Sequence, residues 1–274
     1  MANHISECTT LANSVKMPWL GFGVYKVDEG EQVEKSIQAA IEAGYRSIDT
    51  AAFYKNEAGV GRAIKNSGIP REDLFITTKV WNDRQGYDET LKAFEESRKK
   101  LDLDYVDLYL VHWPVSGKYK ETWKALEKLY KDGLVRAIGV CNFNIHHLED
   151  LMAENEVNPM VNQVEFHPRL TQKDLLAFCK DHDIQLEAWG PLMRAKILDH
   201  PVLVELAEKY SKTPAQIVLR WELQLGVVTI PKSVHEKRIR ENADLFDFEL
   251  SGEDIAKIDE LNQNERTGPD PEEF

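Results

Sequence analysis

Four residues in the first half of the chain carry side chains suited to moving a proton: Asp49, Tyr54, Lys79 and His112. Asp49 ends the stretch YRSID, Tyr54 follows in TAAFYKNE, Lys79 lies in FITTKVW and His112 in LYLVHWP. A free phenol has a pKa of about 10, too high for an efficient acid near neutrality. A cation within a few ångströms favours the phenolate and lowers that value. Lys79 supplies the cation, and Asp49 keeps the lysine charged and in place. His112 can then orient a carbonyl oxygen and, with Tyr54, stabilise the charge developing on it. Singly, each has a plainer explanation: a helix cap, a lysine snorkelling from a barrel mouth, a core histidine, a half-buried tyrosine. Together, at the same end of three successive strands, they are far more specific.

The elements that would place them follow from the hydrophobic pattern. Period-two alternation sets Ser47 and Asp49 on one face of a short strand. Residues 15–27 (VKMPWLGFGVYKV) read as a hairpin or first strand, with Pro18, Gly21 and Gly23 as punctuation. Strand-like runs recur at 74–81, 106–113, 135–143, 160–167, 184–192 and 227–232. The run VDLYLVHW is almost continuously apolar, as a strand covered on both faces should be. Helical periodicity separates them: Val33, Ile37, Ala40 and Ile41 before Gly44, then 56–66, Leu91 to Leu101, Trp123 to Tyr130, 173–180 and Pro201–Tyr210. Strands alternating with helices imply a parallel sheet. Eight such units predict an α/β fold, a closed (β/α)8 TIM barrel with an N-terminal β-hairpin, as one domain over 1–274. The open doubly wound sheet is the rival, but Gly21-Phe22-Gly23 lacks the third glycine of its fingerprint and Gly59-Val60-Gly61 sits in a helical segment.

The chain has 34 Lys and Arg against 47 Asp and Glu, a net charge of −13. Such a surface repels phosphate backbones and anionic bilayers, so neither nucleic acid nor membrane is an expected partner. Any anionic ligand needs a local basic cluster. The N-terminus lacks the basic and apolar regions of a secretory signal, and no apolar run reaches the length of a membrane span. Cys8, Cys141 and Cys179 are scattered, which predicts a reducing, cytoplasmic setting without disulfides. The one histidine pair that invites a metal, His146-His147, is adjacent rather than spaced by four, and HExxH and GxSxG are absent, so no metal site and no serine esterase is expected.

The blocks GYRSIDTAAFYKNE, KVW, YLVHWP, MVNQVEFHP and VTIPKS…R…EN resemble, in order and over essentially the whole chain, those of the aldo-keto reductases, above all bacterial glyoxal, methylglyoxal and diketogluconate reductases. The resemblance implies that Asp49, Tyr54, Lys79 and His112 form a catalytic tetrad, with Tyr54 giving the proton to a carbonyl that takes hydride from NADPH. It implies that Asn142 and Gln163 hold the nicotinamide carboxamide and that Trp189 stacks on the ring. Gly190, Pro191 and Leu192 would border the pyrophosphate. Lys232, Ser233 and Arg238 would clamp the 2′-phosphate, with Glu241 and Asn242 near the adenine. Three departures stand out: Cys141 and Gly190 where serine is frequent, and a loop made basic by Arg194 and Lys196. Tyr25 and Trp113 are expected as aromatic walls beside His112. The chain after the last helix looks too short to close the pocket, which predicts an open site for small, activated carbonyls. A monomer is expected. A non-catalytic NADPH-binding regulator on the same barrel is the alternative, and a Schiff-base lyase using Lys79 a second.

Overall fold

The computed structural model describes residues 2–274. Strands β1 (Cys8–Thr10) and β2 (Lys16–Pro18) form an antiparallel hairpin with Cys8 opposite Pro18. The hairpin expected within 15–27 therefore draws its first arm from further upstream. Its continuation, β3 (Gly21–Gly23), belongs to the barrel instead.

From there the chain alternates: α1 (Glu31–Glu42), β4 (Ser47–Asp49), α2 (Glu57–Asn66), β5 (Phe75–Val80), α3 (Tyr87–Leu101), β6 (Val106–Val111) and α4 (Tyr119–Lys131). It continues with β7 (Val135–Cys141), α5 (Ile145–Met152), β8 (Val161–Glu165), α6 (Lys173–Asp181) and β9 (Gln185–Trp189). Two helices, α7 (Pro201–Tyr210) and α8 (Pro214–Gln224), precede β10 (Val228–Thr229), and α9 (Glu236–Ala243) and α10 (Gly252–Asp259) follow it. The extra helix α8 has its own start signal, since Thr213 and Gln216 form a capping box around Pro214.

Strands β3 to β10 lie side by side in chain order and all pair in parallel. The two edges meet. Leu20 bridges Thr229, and the Gly23 N–H donates to the Pro231 carbonyl at 3.1 Å. A Cβ on Gly21 would lie 2.8 Å from the Ile230 side chain, and one on Gly23 3.0 Å from the Ile230 carbonyl. The glycines of GFG thus let the seam close; they do not cradle a phosphate. Gly61 serves packing in the same way, because a Cβ there would sit 2.4 Å from the Leu101 carbonyl oxygen.

Each residue of β6 is buried, as its apolar run requires. Several expected strands run two or three residues too long. Past the last ladder pair the chain stays buried outside the strands, as Ile230 and Pro191 do, with the Ile230 N–H still donating to the Ala188 carbonyl at 3.3 Å. The hairpin covers the N-terminal end of the barrel, where Thr9 donates to the Gln185 side chain at 2.9 Å. That leaves the C-terminal ends of the strands open for chemistry. Among the described residues, no helix is long and apolar enough to cross a membrane.

Candidate active site

The four proton-handling residues converge at that C-terminal rim. Asp49 is the last residue of β4, Lys79 lies one residue from the end of β5, and His112 directly follows β6. Tyr54 closes a single 3-10 turn, Ala52–Tyr54, after which Lys55 takes a left-handed conformation. The loop is held by Asn56, whose amide donates to the carbonyls of Val24 and Val27 at 3.0 Å and accepts from Thr50 at 2.7 Å. Strand alternation turns Lys79 inward, and its neighbour Thr78 points out to bond Glu57 of α2 at 2.6 Å.

The Lys79 ammonium has three N–H groups and uses all of them. It donates to Asp49 at 2.6 Å, to the Thr50 carbonyl at 2.9 Å and to the Tyr54 phenol oxygen at 3.3 Å. Burial alone would push its pKa down, but Asp49 and Tyr54 reverse this, and the net direction is upward. With all three hydrogens engaged and its charge favoured, the amine offers no lone pair to a carbonyl, which argues against the Schiff-base reading. Because Lys79 donates to the phenol oxygen, Tyr54 keeps its own hydrogen to give away. Here the expectation of a lowered phenol pKa is corrected. Burial pushes the Tyr54 phenol above its usual range and Lys79 only limits the rise. Tyr54 is therefore protonated at neutral pH. Burial, with the Lys79 charge adding to it, holds His112 well below the usual imidazole range, so its ring is neutral. Its Nδ1 is buried without a hydrogen-bond partner.

Residues expected to hold a nicotinamide stand beside this group. Asn142, at φ 62°, donates to the His112 carbonyl at 3.0 Å and accepts from the Trp189 indole at 2.8 Å. Its side chain thus locks Trp189 to the histidine loop. Gln163 donates to Asp49 and to Glu187, both at 2.8 Å, and its oxygen faces the Cys141 thiol at 3.9 Å. Both amide hydrogens are thereby used, and the carbonyl oxygen, accepting the weak thiol hydrogen, keeps one lone pair free. Beyond Trp189, Gly190 has φ 66° with open space where a Cβ would go. Met193, Arg194 and Ala195 also have positive φ, strain that is commonly stored at ligand clamps. Lys232 and Arg238 are exposed and, among the described residues, in no ion pair, whereas nearby Arg240 is paired with Glu42 and Glu236. Ser233 accepts from the His235 N–H at 3.1 Å, Glu241 from Thr213 at 3.0 Å, and Asn242 is buried. Two cations without an ion pair among the described residues, one on the loop after β10 and one in α9, fit a phosphate-bearing ligand.

The family model described as the aldo/keto reductase family matches residues 19–263. The chain belongs to the aldo/keto reductase family. It is 62% identical over 274 residues to a glyoxal reductase of Bacillus subtilis (strain 168), covering 100% of this chain and 99% of that one. It is 52% identical over 262 residues to methylglyoxal reductase DkgA of Escherichia coli (strain K12), covering 94% of each. Among solved structures it is similar to a point mutant of Gox0644 in complex with NADPH, with TM-score 0.92, 43% identity and 97% of each chain covered.

The substrate side of this reductase departs from the sequence-based expectation. Tyr25 does stand at the opening, 41% exposed, with its ring 5.0 Å from that of Tyr54. Trp113 does not form an open wall: it is buried beneath Phe274, stacked at 4.3 Å. The residues that face His112 are Trp81, 5.0 Å away between ring centroids, and Phe53, which stacks on Trp81 at 3.8 Å. Both lie in motifs already quoted, KVW and TAAFY, but an aromatic in an apolar run reads as core.

The tail, expected to be too short to close the pocket, is nonetheless ordered against the rim. After α10 the chain is bonded back onto the rim. Thr267 and Gly268 donate backbone N–H groups to buried Glu165, at 2.6 and 3.2 Å. Gly268 lies so close to Trp189 that a Cβ would be 2.5 Å from the indole. Further on, Asn144 donates to Glu272, His146 lies 3.5 Å from it, and the Ser116 N–H donates to the Phe274 carbonyl. A short tail without an α-helix suffices, because it is tied down and not because it is long. His146, His147 and Glu272 are clustered, but the Asn144 N–H already occupies Nδ1 of His147 in a helix cap.

Proposed function

We propose that this chain reduces small aldehydes and α-dicarbonyls, of the glyoxal and methylglyoxal kind, with NADPH. The observation that carries the reading is the buried Asp49–Lys79–Tyr54 chain, with neutral His112 beside it at an aromatic-lined opening. NADPH, when bound, supplies hydride. The catalytic work of this chain's own residues is then proton delivery and charge stabilisation. Tyr54 donates its hydroxyl proton to the carbonyl oxygen, Lys79 stabilises the phenolate left behind, and Asp49 holds Lys79 charged. His112, having one N–H, orients the oxygen without adding a second charge.

Asn142, Gln163 and Trp189 would hold the nicotinamide end, Gly190, Pro191 and Leu192 the pyrophosphate, and Lys232, Ser233 and Arg238 the 2′-phosphate, with Glu241 and Asn242 at the adenine. The substrate opening is framed by Tyr25, Phe53 and Trp81, with Trp113 and Phe274 at its side. Large exposed apolar side chains among the described residues are Tyr25, Phe53, Tyr87 and Val204, and two of these four border the opening. That supports a small hydrophobic-faced substrate and, with no broad apolar patch elsewhere among the described residues, a monomer; a single domain working in the cytoplasm is part of the same proposal. The non-catalytic alternative has no observation in its favour, since an intact proton relay serves no purpose in mere binding. A panel of methylglyoxal, glyoxal, short aldehydes and hydroxysteroids assayed with NADPH tests the proposal. Dicarbonyls should turn over, with KM values near or above the top of the usual range of about 1 μM to 1 mM. Turnover of steroids alone would refute it.

A further inference from the structure

The buried chain of hydrogen bonds does not stop at Asp49. Glu187 sits in register with Gln163 on adjacent strands β8 and β9, so both side chains enter the barrel. The Gln163 amide donates one hydrogen to Asp49 and the other to Glu187, each at 2.8 Å. One neutral amide thus joins two carboxyl groups that are 2% and 1% exposed. Among the described residues, one lysine, Lys79, faces them. Two ionised carboxylates there would leave a net negative charge in a buried site, which is costly.

We propose that Glu187 is a positioning residue for the Asp49–Lys79–Tyr54 unit, acting through the Gln163 amide and holding the buried proton that leaves Lys79 with a single anionic partner. Protonated, Glu187 accepts from Gln163 and fixes which end of that amide faces Asp49. Ionised, it adds a negative charge one amide away from the Asp49–Lys79 pair and makes Tyr54 a weaker acid. The charged or titratable groups facing it are Asp49 from β4, Lys79 from β5 and Cys141 from β7. Its partners in the sheet, Gln163 and Val228, carry no charge. Burial, with Asp49 adding to it, pushes the Glu187 carboxyl up to about 8. Tyr54, Lys79 and Cys141 are held higher still and His112 well lower, so a change near that pH points to Glu187.

The inference rests on the reductase reading of the site, so its first test uses no substrate. The native pKa lies above the unfolded one, so the folded protein keeps a proton that the unfolded chain has lost. Wild-type stability therefore falls as pH rises through the window between those values. Comparing melts of the cofactor-free wild type and Glu187→Gln from about pH 5 to about pH 9, the Tm difference should move in the variant's favour until the folded-state pKa is passed. A gap that stays constant with pH would mean a merely structural role and overturn the proposal. The second test is the pH profile of methylglyoxal reduction. Wild-type kcat/KM should fall roughly tenfold across the Glu187 titration, the size of one pKa unit of coupling, while Glu187→Gln stays flat and within about twofold of wild type at neutral pH. Superimposable profiles would remove the positioning role even if the melts differ. If the variant does not fold, carbon-13 NMR of wild-type protein labelled at its Glu carboxyls decides. Buried Glu222 is also pushed well up by desolvation, so the signal is assigned by its survival in Glu222→Gln. A surviving carboxyl titrating near 8 supports the proposal, and its absence sinks it.

Discussion

At the residue scale, the proposed proton delivery rests on an arrangement of charge that leaves one phenol as the group able to yield a proton. Lys79 is buried with Asp49 as its one carboxylate partner, and its third hydrogen is aimed at Tyr54. Tyr54→Phe should therefore cost roughly 10²–10⁴-fold in kcat for carbonyl reduction, the usual worth of a positioned acid, with NADPH affinity unchanged. Near-normal turnover by stopped-flow would show that the proton comes from elsewhere. Lys79→Met should lose comparable activity and also stability. It leaves Asp49 buried without its cation, a loss of about 3–5 kcal/mol for breaking a buried pair from one side. Urea unfolding measures that directly; a cost under about 1 kcal/mol would mean that water replaces the ammonium. The tetrad was legible in the sequence because a core does not choose Asp, Lys and His at matching strand ends. Glu187 was not, since a lone glutamate in QLEAWG gives no sign of which carboxyl it will meet across a barrel.

At the scale of elements, the barrel was readable because alternating strand and helix periods recur eight times, and length limits the closed solutions. What resisted reading was whatever depends on contacts distant in sequence. The upstream arm Cys8–Thr10 has no alternation of its own and becomes a strand only because Lys16–Pro18 is there to pair with it. The tail gave the same trouble. Gly268, Pro269 and Pro271 argue against regular structure, and nothing local announces that Glu165 and Asn144 will bind it. Phe274 stacks on Trp113, the residue after His112, and so brings the tail up to that side of the proposed opening. Phe274→Ala should cost little stability, about 0.5–1.5 kcal/mol for the lost aromatic pair. It should instead relax selectivity, raising kcat/KM for a bulky aromatic aldehyde relative to methylglyoxal. An unchanged ratio of the two would show that the tail is no wall.

At the scale of the whole molecule, the question is how a chain of net charge −13 attracts a polyanionic cofactor. The acidic surface works against NADPH at long range, although screening confines that repulsion to about 8–10 Å at physiological salt. Affinity must come from contact, and the exposed, unpaired Lys232 and Arg238 are placed to supply it. Arg240 of α9 is less available, being already shared between Glu42 and Glu236. Arg238 offers a planar fork to a phosphate and a flat face to an adenine, which lysine cannot match. A hydrogen bond to a charged group is worth roughly 1.5–3 kcal/mol, so Arg238→Ala should weaken NADPH binding by roughly ten- to hundredfold. NADH, having no 2′-phosphate, should lose far less. Fluorescence titration of both cofactors at two salt concentrations separates the contributions. In wild type, added salt should weaken NADPH binding more than NADH binding, and the variant should lose most of that difference. Equal losses for the two cofactors would place Arg238 against the adenine alone, and no loss for either would take the clamp away from α9 altogether.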